Sequence, residues 1–166
     1  AGIELGEIGL VAVDVGPGLF TGLRVGVATA KAIAFGLRVP MIGVSSLDLL
    51  AFPVRFSNRL IVTAIDARRG ELYYAFYRQV PGGVQRLGEH QIGSPDDLAS
   101  QLLASPDEIL LVGDGANRYA EAFEGLAKVE LVTHDHCHPS AESLVQLAHA
   151  RALREEFERP DAIEPI

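Results

Sequence analysis

The sequence has little of what marks a secreted, membrane-spanning or nucleic-acid-binding chain. One cysteine, Cys137, cannot form a disulfide within the chain, which is typical of a reducing compartment. No uncharged apolar run approaches the roughly 18 residues that a membrane span needs. The first ten residues also lack the basic and then apolar regions of a signal peptide. Positive charge is scarce, since 14 Lys and Arg against 22 Asp and Glu give a net charge of −8, and an acidic chain repels a nucleic acid at long range.

The length and hydrophobic content of the chain predict a globular protein of about one domain or two small lobes. The chain has 166 residues, of which 48% are hydrophobic. Apolar runs and turn residues predict strands at 10–15, 41–44, 60–65, 71–78, 84–91, 108–112 and 128–132, and helices at 21–37, 45–51, 95–103, 116–123 and 141–157. We predict an α/β fold with a mixed sheet, divided into lobes 1–52 and 53–166.

Two glycine turns each follow a predicted strand and precede a predicted helix. In the first, the free N–H groups beside Gly16 and Gly18 and the positive end of the helix dipole are suited to an anion. The spacing matches neither a Walker A loop nor a dinucleotide-binding fingerprint, so the alternative is a tight turn that needs glycine. The second turn, Gly113-Asp114-Gly115, offers the same choice between a nucleotide contact and a simple turn. We treat all five as candidate cofactor-binding residues.

The first long helix carries small residues at four-residue spacing. Gly22, Gly26, Ala30 and Ala34 leave one ridge of the helix nearly bare. A bare ridge lets another helix approach closely. Because each helical glycine costs about 1 kcal/mol relative to alanine, close packing is the expected compensation. The neighbour is either another helix of this chain or a partner chain.

These blocks resemble one known family. The resemblance rests on five segments of the sequence: Gly16-Pro-Gly-Leu-Phe-Thr-Gly-Leu-Arg-Val-Gly26, Ala30-Lys-Ala-Ile-Ala-Phe-Gly36, Val39-Pro-Met-Ile-Gly-Val-Ser-Ser-Leu47, Ala64-Ile-Asp-Ala-Arg-Arg-Gly-Glu-Leu-Tyr73 and Glu164-Pro165. Together they are similar to the TsaB (YeaZ) family along almost the whole chain. The chain begins just before the glycine block, so a family segment of strands and a helix is expected to be missing and the first lobe incomplete.

The resemblance implies an actin/sugar-kinase/Hsp70-like fold with two ribonuclease-H-like lobes. It also implies a cytoplasmic, non-catalytic partner of the TsaD-type subunit, which forms threonylcarbamoyladenosine at position 37 of tRNA. A TsaE-type ATPase joins that complex. The chain would hold no cofactor of its own, with ATP or ADP bound only in the complex, would reach tRNA only through the complex, and would form a homodimer when alone. Carried over to this sequence, the interface is Thr21, Gly22, Arg24, Gly26, Ala30 and Ala34.

Other residue groups suggest a catalytic alternative, a metal- or nucleotide-dependent acyltransferase or peptidase-like enzyme of the same superfamily. His134, His136 and His138 flank Cys137, and imidazole and thiolate are good ligands for Zn²⁺. Neighbouring side chains point apart, however, and Pro139 disfavours a helix there, so the other reading is a solvated loop. Asp66 and Arg68 suggest a charged site at a hairpin turn, or a carboxylate that caps its own turn.

Overall fold

The computed structural model describes residues 2, 4–132 and 137–166 and divides the chain into two compact units. The first contains Ala1–Ser46 together with Ala141–Ile166, and the second contains Leu47–Ser140. This division differs from the one expected from the sequence, where everything after residue 52 formed one lobe. The difference arises because the last helix packs on the strands of the first unit.

The first unit is built on two parallel strands. Strand β1 (Val11–Gly16) pairs with β2 (Met41–Ser45), and α1 (Phe20–Leu37) makes the crossover between them. Helix α5 (Ala141–Ala152) packs against the same two strands. On the other edge of β2, the backbone of Glu158 exchanges two hydrogen bonds with Met41, at 2.8 and 3.0 Å, so the chain beyond α5 covers that edge.

The core of the first unit lies between α1 and this small sheet. Only Val27, Ala30 and Ala34 of α1 are buried. They pack with Val13, Met41 and Ile163. Alanine at the contact positions lets the helix lie close to the strands, because a small side chain adds little to the distance between the two backbones.

The second unit contains a six-stranded mixed sheet in the order β5-β4-β3-β7-β8, with β6 also beside β4. Strands β3, β4 and β5 form the expected antiparallel meander, whereas β7 and β8 run parallel to β3. The strands are β3 (Leu60–Arg68), β4 (Glu71–Val80), β5 (Gly83–Arg86), β6 (Gln91–Gly93), β7 (Ile109–Val112) and β8 (Val129–Leu131), and the helices are α2 (Ser46–Ala51), α3 (Pro95–Ala104) and α4 (Asp114–Arg118).

The two faces of β3 carry two separate apolar cores. On one face Leu60, Val62 and Ala64 pack with residues of α3, α4, β4 and β7. On the other face Ile61 and Ile65 pack with α2 and β4. Because successive side chains of a strand point to opposite faces, a nearly continuous apolar run is what a strand covered on both sides requires.

Three predicted elements differ most from the observed ones. The run 84–91 forms two short strands, β5 and β6. The helix expected at 116–123 is α4 followed by a 3₁₀ turn at Ala120–Phe123. Helix α5 ends at Ala152, five residues before its predicted end, and turns Ser143 and Ala148 inward while Val145 is 64% exposed. Helix α3 is capped by Ser94, whose hydroxyl accepts the N–H of Asp97 at 3.1 Å.

Candidate functional site

The glycine turn after β1 is closely packed within the first unit. Gly16 has a φ of +100°, and a Cβ there would lie 2.8 Å from Cδ1 of Leu23. The Asp14 carboxylate accepts the N–H of Gly16 at 2.9 Å and the hydroxyl of Ser46 at 2.6 Å. Backbone conformation and packing therefore account for Gly16 without a ligand. Anion binding by Gly16 and Gly18 stays a prediction.

The glycine turn after β7 is even tighter. A Cβ on Gly113 would lie 2.2 Å from the carbonyl oxygen of Ala64, and one on Gly115 would lie 2.7 Å from the carbonyl carbon of Ile65. The two glycines allow α4 to pack directly on β3, which accounts for their presence. A nucleotide contact by Gly113, Asp114 and Gly115 stays a prediction, and α4 is too short to carry an N-terminal site of its own.

A charged cluster lies where β3 turns into β4. The side chain of Asp66 is only 4% exposed. Its Oδ1 accepts the backbone N–H of Arg68 at 2.9 Å, so this carboxylate does cap its own turn. Its Oδ2 lies 3.2 Å from Nη1 of Arg68 and 3.5 Å from Nη1 of Arg118. The Tyr119 hydroxyl is 3.4 Å from Oδ1. Arg68 is therefore ion-paired, whereas the capping interpretation of this turn expected it to be merely solvated.

Arg118 is the member of this cluster that the sequence analysis missed. It lies far from Asp66 in the chain and belongs to no recognisable motif. The packing of α4 on β3 through Gly115 brings it there. The one available signal was Gly115 itself, because a glycine at the start of a helix indicates a close approach to another backbone.

An exposed surface of apolar and small residues lies on α1 in the first unit. We call it the outer face and define it as Gly22, Val25, Gly26, Thr29, Ile33 and Gly36, which recur at helical spacing and are all exposed. Val25 is 62% and Ile33 47% exposed. The Thr29 hydroxyl donates to the carbonyl oxygen of Val25 at 2.8 Å, so its donor is satisfied within the helix.

The structure separates the six residues predicted to form an interface. Thr21, Gly22, Arg24 and Gly26 are exposed, and a Cβ added to either glycine would meet nothing within 4 Å. Ala30 and Ala34 are 7% and 0% exposed and belong to the core of the first unit. The prediction of one continuous ridge therefore needs a correction, because residues four apart drift around a helix of 3.6 residues per turn. An interface role stays a prediction for the four exposed residues.

The candidate metal ligands lie mostly outside the described residues. His134 and His136 fall there, while Cys137 and His138 are described. Asn117 Nδ2 lies 3.3 Å from the Cys137 sulfur. Over residues 2, 4–132 and 137–166, no three His, Cys, Asp or Glu side chains are grouped so that they could hold a metal ion.

The tyrosines of β4 take part in packing rather than in an exposed platform. Tyr77 is 1% exposed and donates its hydroxyl proton to Asp48 Oδ1 at 2.8 Å. Burial, and next the negative charge of Asp48, raise the pKa of Tyr77. Tyr74 is also buried, and its hydroxyl is 2.8 Å from the side-chain nitrogen of Gln101.

Comparison with known proteins supports the resemblance seen in the sequence. Residues 1–165 match the family model described as "TsaD: tRNA N6-adenosine threonylcarbamoyltransferase". The tRNA threonylcarbamoyladenosine biosynthesis protein TsaB of Haemophilus influenzae is 30% identical over 174 aligned residues, which cover 100% of this chain and 72% of the relative. The Escherichia coli TsaB protein is 35% identical over 118 residues, covering 69% of this chain and 51% of the relative. The chain thus spans about half the length of the E. coli relative.

The fold comparison agrees. A crystal structure from Pseudomonas aeruginosa, of a protein described as similar to peptidase YeaZ, superposes with a TM-score of 0.84 at 28% identity, over 99% of this chain and 76% of that one. The predicted α/β, actin-like fold is confirmed. Helix α1 is long and apolar enough by composition to cross a membrane, but core helices of soluble proteins meet the same criterion, and its inner side is buried in this unit.

Proposed function

The chain belongs to the TsaB (YeaZ) family, and from that membership we propose that it acts in the formation of threonylcarbamoyladenosine in tRNA. Its role there is that of a non-catalytic partner of a TsaD-type subunit, which performs the transfer. The observation that carries this proposal is the outer face of α1, an apolar helix surface that this chain leaves exposed.

The outer face is suited to another helix. Gly22, Gly26 and Gly36 place nothing beyond the backbone on it, and an added Cβ at any of them meets no atom within 4 Å. Each glycine costs about 1 kcal/mol of helix stability relative to alanine, and no contact described in this chain offsets that cost. A partner helix that packs against the bare backbone would offset it. Val25 and Ile33 would then supply the apolar area that is removed from water.

The positive charges of α1 lie away from the outer face. The Arg24 guanidinium lies over the ring of Phe20, 3.9 Å from its centroid, at the start of the helix. At 100° per residue, Arg24 and Lys31 lie on the side of α1 opposite Gly22. Arg24 is therefore an interface residue only for a partner that also contacts that side of the helix, where a charge would select the partner and its orientation more than add affinity.

The other parts of the proposal follow from the same assembly. The net charge of −8 suits a subunit that reaches tRNA through the complex rather than alone. A TsaE-type ATPase joins the complex, and ATP or ADP is bound there rather than by this chain. Without its TsaD-type partner the chain forms a homodimer through the outer face. The assembly acts in the cytoplasm.

The test compares two variants of the full chain mixed with the TsaD-type subunit of the same organism. In Gly26→Leu a large side chain stands on the outer face, so light scattering should show loss of the heterodimer while the melting temperature of the isolated chain is unchanged or slightly raised. Ala104→Leu adds the same side chain at an exposed position of α3 and should associate normally. Normal association of Gly26→Leu would sink the interface proposal, whereas a large fall in its melting temperature would show that Gly26 is not exposed.

Catalytic and partner roles are separated by reconstitution. Threonylcarbamoyl transfer to tRNA is measured with the TsaD-type and TsaE-type subunits, with and without this chain. We expect transfer only when the chain is present, none by the chain alone, and a loss in Gly26→Leu. The variants His134→Ala and His138→Ala should keep full activity. If instead either histidine variant abolished transfer, the chain would be an enzyme in its own right.

A further inference from the structure

The charged cluster at the β3–β4 turn has more positive than negative charge. Arg68 and Arg118 both contact the same oxygen, Oδ2 of the buried Asp66. One carboxylate balances one guanidinium, so the trio keeps a net charge of +1. Arg69, next in the chain, adds another positive charge to the turn, and Glu71, the register partner of Arg68, adds a negative one, so the excess stays at +1. This local excess occurs in a chain whose net charge is −8.

Asp66 orients the two arginines without using up their hydrogen-bonding capacity. A guanidinium has five N–H donors in a fixed fork, and each arginine directs one nitrogen at Oδ2. The side chains of Arg68 and Arg118 are 65% and 58% exposed, so their other donors face solvent. Two guanidiniums held close together by a buried carboxylate form a prearranged site for an anion with several oxygens, because such an anion accepts from both forks at once.

The backbone of the turn is held in an uncommon conformation. Arg68 and Arg69 have φ values of +69° and +55°, a region where L-residues other than glycine and asparagine are disfavoured. The two-residue turn at Arg69 and Gly70 needs positive φ at both positions, and asparagine is the usual residue at the first. Arg68 and Arg69 therefore both have a strained backbone, and strain of this kind clusters at functional sites.

One side of the cluster opens on a cleft. Arg118 and Tyr119 also line an open space of about 580 Å³, together with Asn117 and the carboxylate residues Asp96 and Glu121. The two carboxylates would repel an anion deep in this cleft and confine it to the side of the arginines. Because the site is open rather than enclosed, it fits one group of a large ligand better than a whole small molecule.

We propose that Arg68 and Arg118, oriented by Asp66, bind a backbone phosphate of the RNA substrate. Arginine contacts of this kind position an RNA without reading its sequence. The inference rests on the proposed function, since it requires that the chain belong to an assembly that acts on tRNA. It adds that this acidic subunit makes a phosphate contact of its own within that assembly.

The experiment measures tRNA binding by the complex of the full chain with its TsaD-type subunit, at several salt concentrations. Arg68→Gln and Arg118→Gln should each weaken binding several-fold and lower the slope of log K against log salt by about one, as for loss of one phosphate contact. The matched control is Arg59→Gln, which removes the same charge from an exposed arginine that pairs with Glu130 in the same unit. The control should bind like the unmodified chain.

Three results would overturn the proposal. Unchanged binding by both variants would show that no phosphate is held there. Equal weakening by Arg59→Gln would show that overall charge, not a site, is responsible. Binding of inorganic phosphate that is lost in Arg68→Gln, in a complex whose tRNA affinity and salt slope do not change in that variant, would assign the site to a free anion.

Failure of the site is kept distinct from failure of the proposed function. Light scattering on the same samples reports whether the two subunits associate at all. If they do not, a short RNA is titrated at low salt into the full chain alone, to detect the single phosphate contact rather than stable tRNA binding, and the side-chain Nε–Hε NMR signals of the arginines are followed. Shifts confined to Arg68 and Arg118 support the site, whereas equal shifts across all arginines, or no shift at Arg68 and Arg118, overturn it.

Discussion

The two units of this chain use their apolar residues in different ways. In the second unit β3 is covered on both faces, and the residues Leu60–Asp66 are all buried. In the first unit the longest helix, α1, buries only Val27, Ala30 and Ala34 of its 18 residues. The second unit therefore buries the apolar residues of β3 within itself, whereas the first unit leaves the outer face of α1 exposed to solvent. Contiguous exposed apolar surface of this kind marks an interaction site.

Glycine shows the same contrast at single positions. Gly113 and Gly115 are needed because a Cβ would run into the backbone of β3. Gly22 and Gly26 have open space around them. Glycine thus stabilises an internal contact in the second unit, whereas in α1 it only weakens the isolated helix. Substitutions at these positions should have opposite effects on the free energy of unfolding.

The largest expected effect is that of Gly113→Ala. The new Cβ would meet the carbonyl oxygen of Ala64 at 2.2 Å, and the φ of +123° is unfavourable for alanine. Strain and overpacking together should lower the free energy of unfolding by about 3 kcal/mol or more, measured by urea denaturation. Gly125→Ala is the control, since Gly125 has a φ of +81° but open space, and should lose only about 1 kcal/mol. Equal losses in both variants would refute the close contact.

An intermediate effect is expected from Tyr77→Phe, which removes the hydroxyl bound to Asp48. Loss of a buried hydrogen bond to a charged acceptor should cost about 1.5–3 kcal/mol. Asp48→Asn keeps an acceptor but removes the charge, so its loss should be smaller. A Tyr77→Phe variant as stable as the unmodified chain would show that this bond contributes nothing.

The same residue predicts how stability changes at high pH. Burial and the charge of Asp48 raise the pKa of Tyr77 in the folded chain, whereas in the unfolded chain it titrates near its usual value of about 10. The contribution is therefore complete below about pH 10. Above that, the unfolded chain loses a proton that the folded chain keeps, and stability falls by up to about 1.4 kcal/mol per pH unit. Tyr77→Phe should lack this part of the decline, as urea denaturation at a series of pH values will show.

The smallest effect, of opposite sign, is expected from Gly26→Ala. A methyl group meets nothing within 4 Å, and alanine favours the helix by up to about 1 kcal/mol over glycine. The isolated chain should therefore be slightly more stable by thermal denaturation. Its affinity for the TsaD-type subunit should fall, since the methyl group holds a partner helix away. A destabilised variant would place Gly26 in a core.

Most elements could be predicted from the sequence because apolar periodicity and turn residues agree there. The meander and the parallel pair β1 and β2 are examples. The errors occur where tertiary contacts decide: β5 and β6 are separate strands within an apparently continuous run, and α5, which packs on β2, ends five residues before its predicted end. The Arg151 side chain of α5 donates to the carbonyl oxygen of Gly43 at 2.6 Å, a contact between residues far apart in the chain.

The candidate sites were predictable only in part. The small residues of α1 were visible in the sequence, but which of them face outward depends on how the helix sits on β1 and β2, and so Ala30 and Ala34 were misplaced. Asp66 and Arg68 share a turn and could be found together. Arg118 could not, because its proximity depends on how α4 packs against β3.

The first unit is formed by two separate stretches of the chain, and this affects how the protein folds during translation. Leu47–Ser140 is an uninterrupted stretch of chain, so the second unit can fold as soon as it leaves the ribosome. The first unit cannot, because α5 and the backbone of Glu158, which cover its strands, emerge only after the second unit. During translation, one edge of β2 therefore stays unpaired until Glu158 has been synthesised. A nascent chain stalled before α5 would expose this strand edge to chaperones and to other nascent chains.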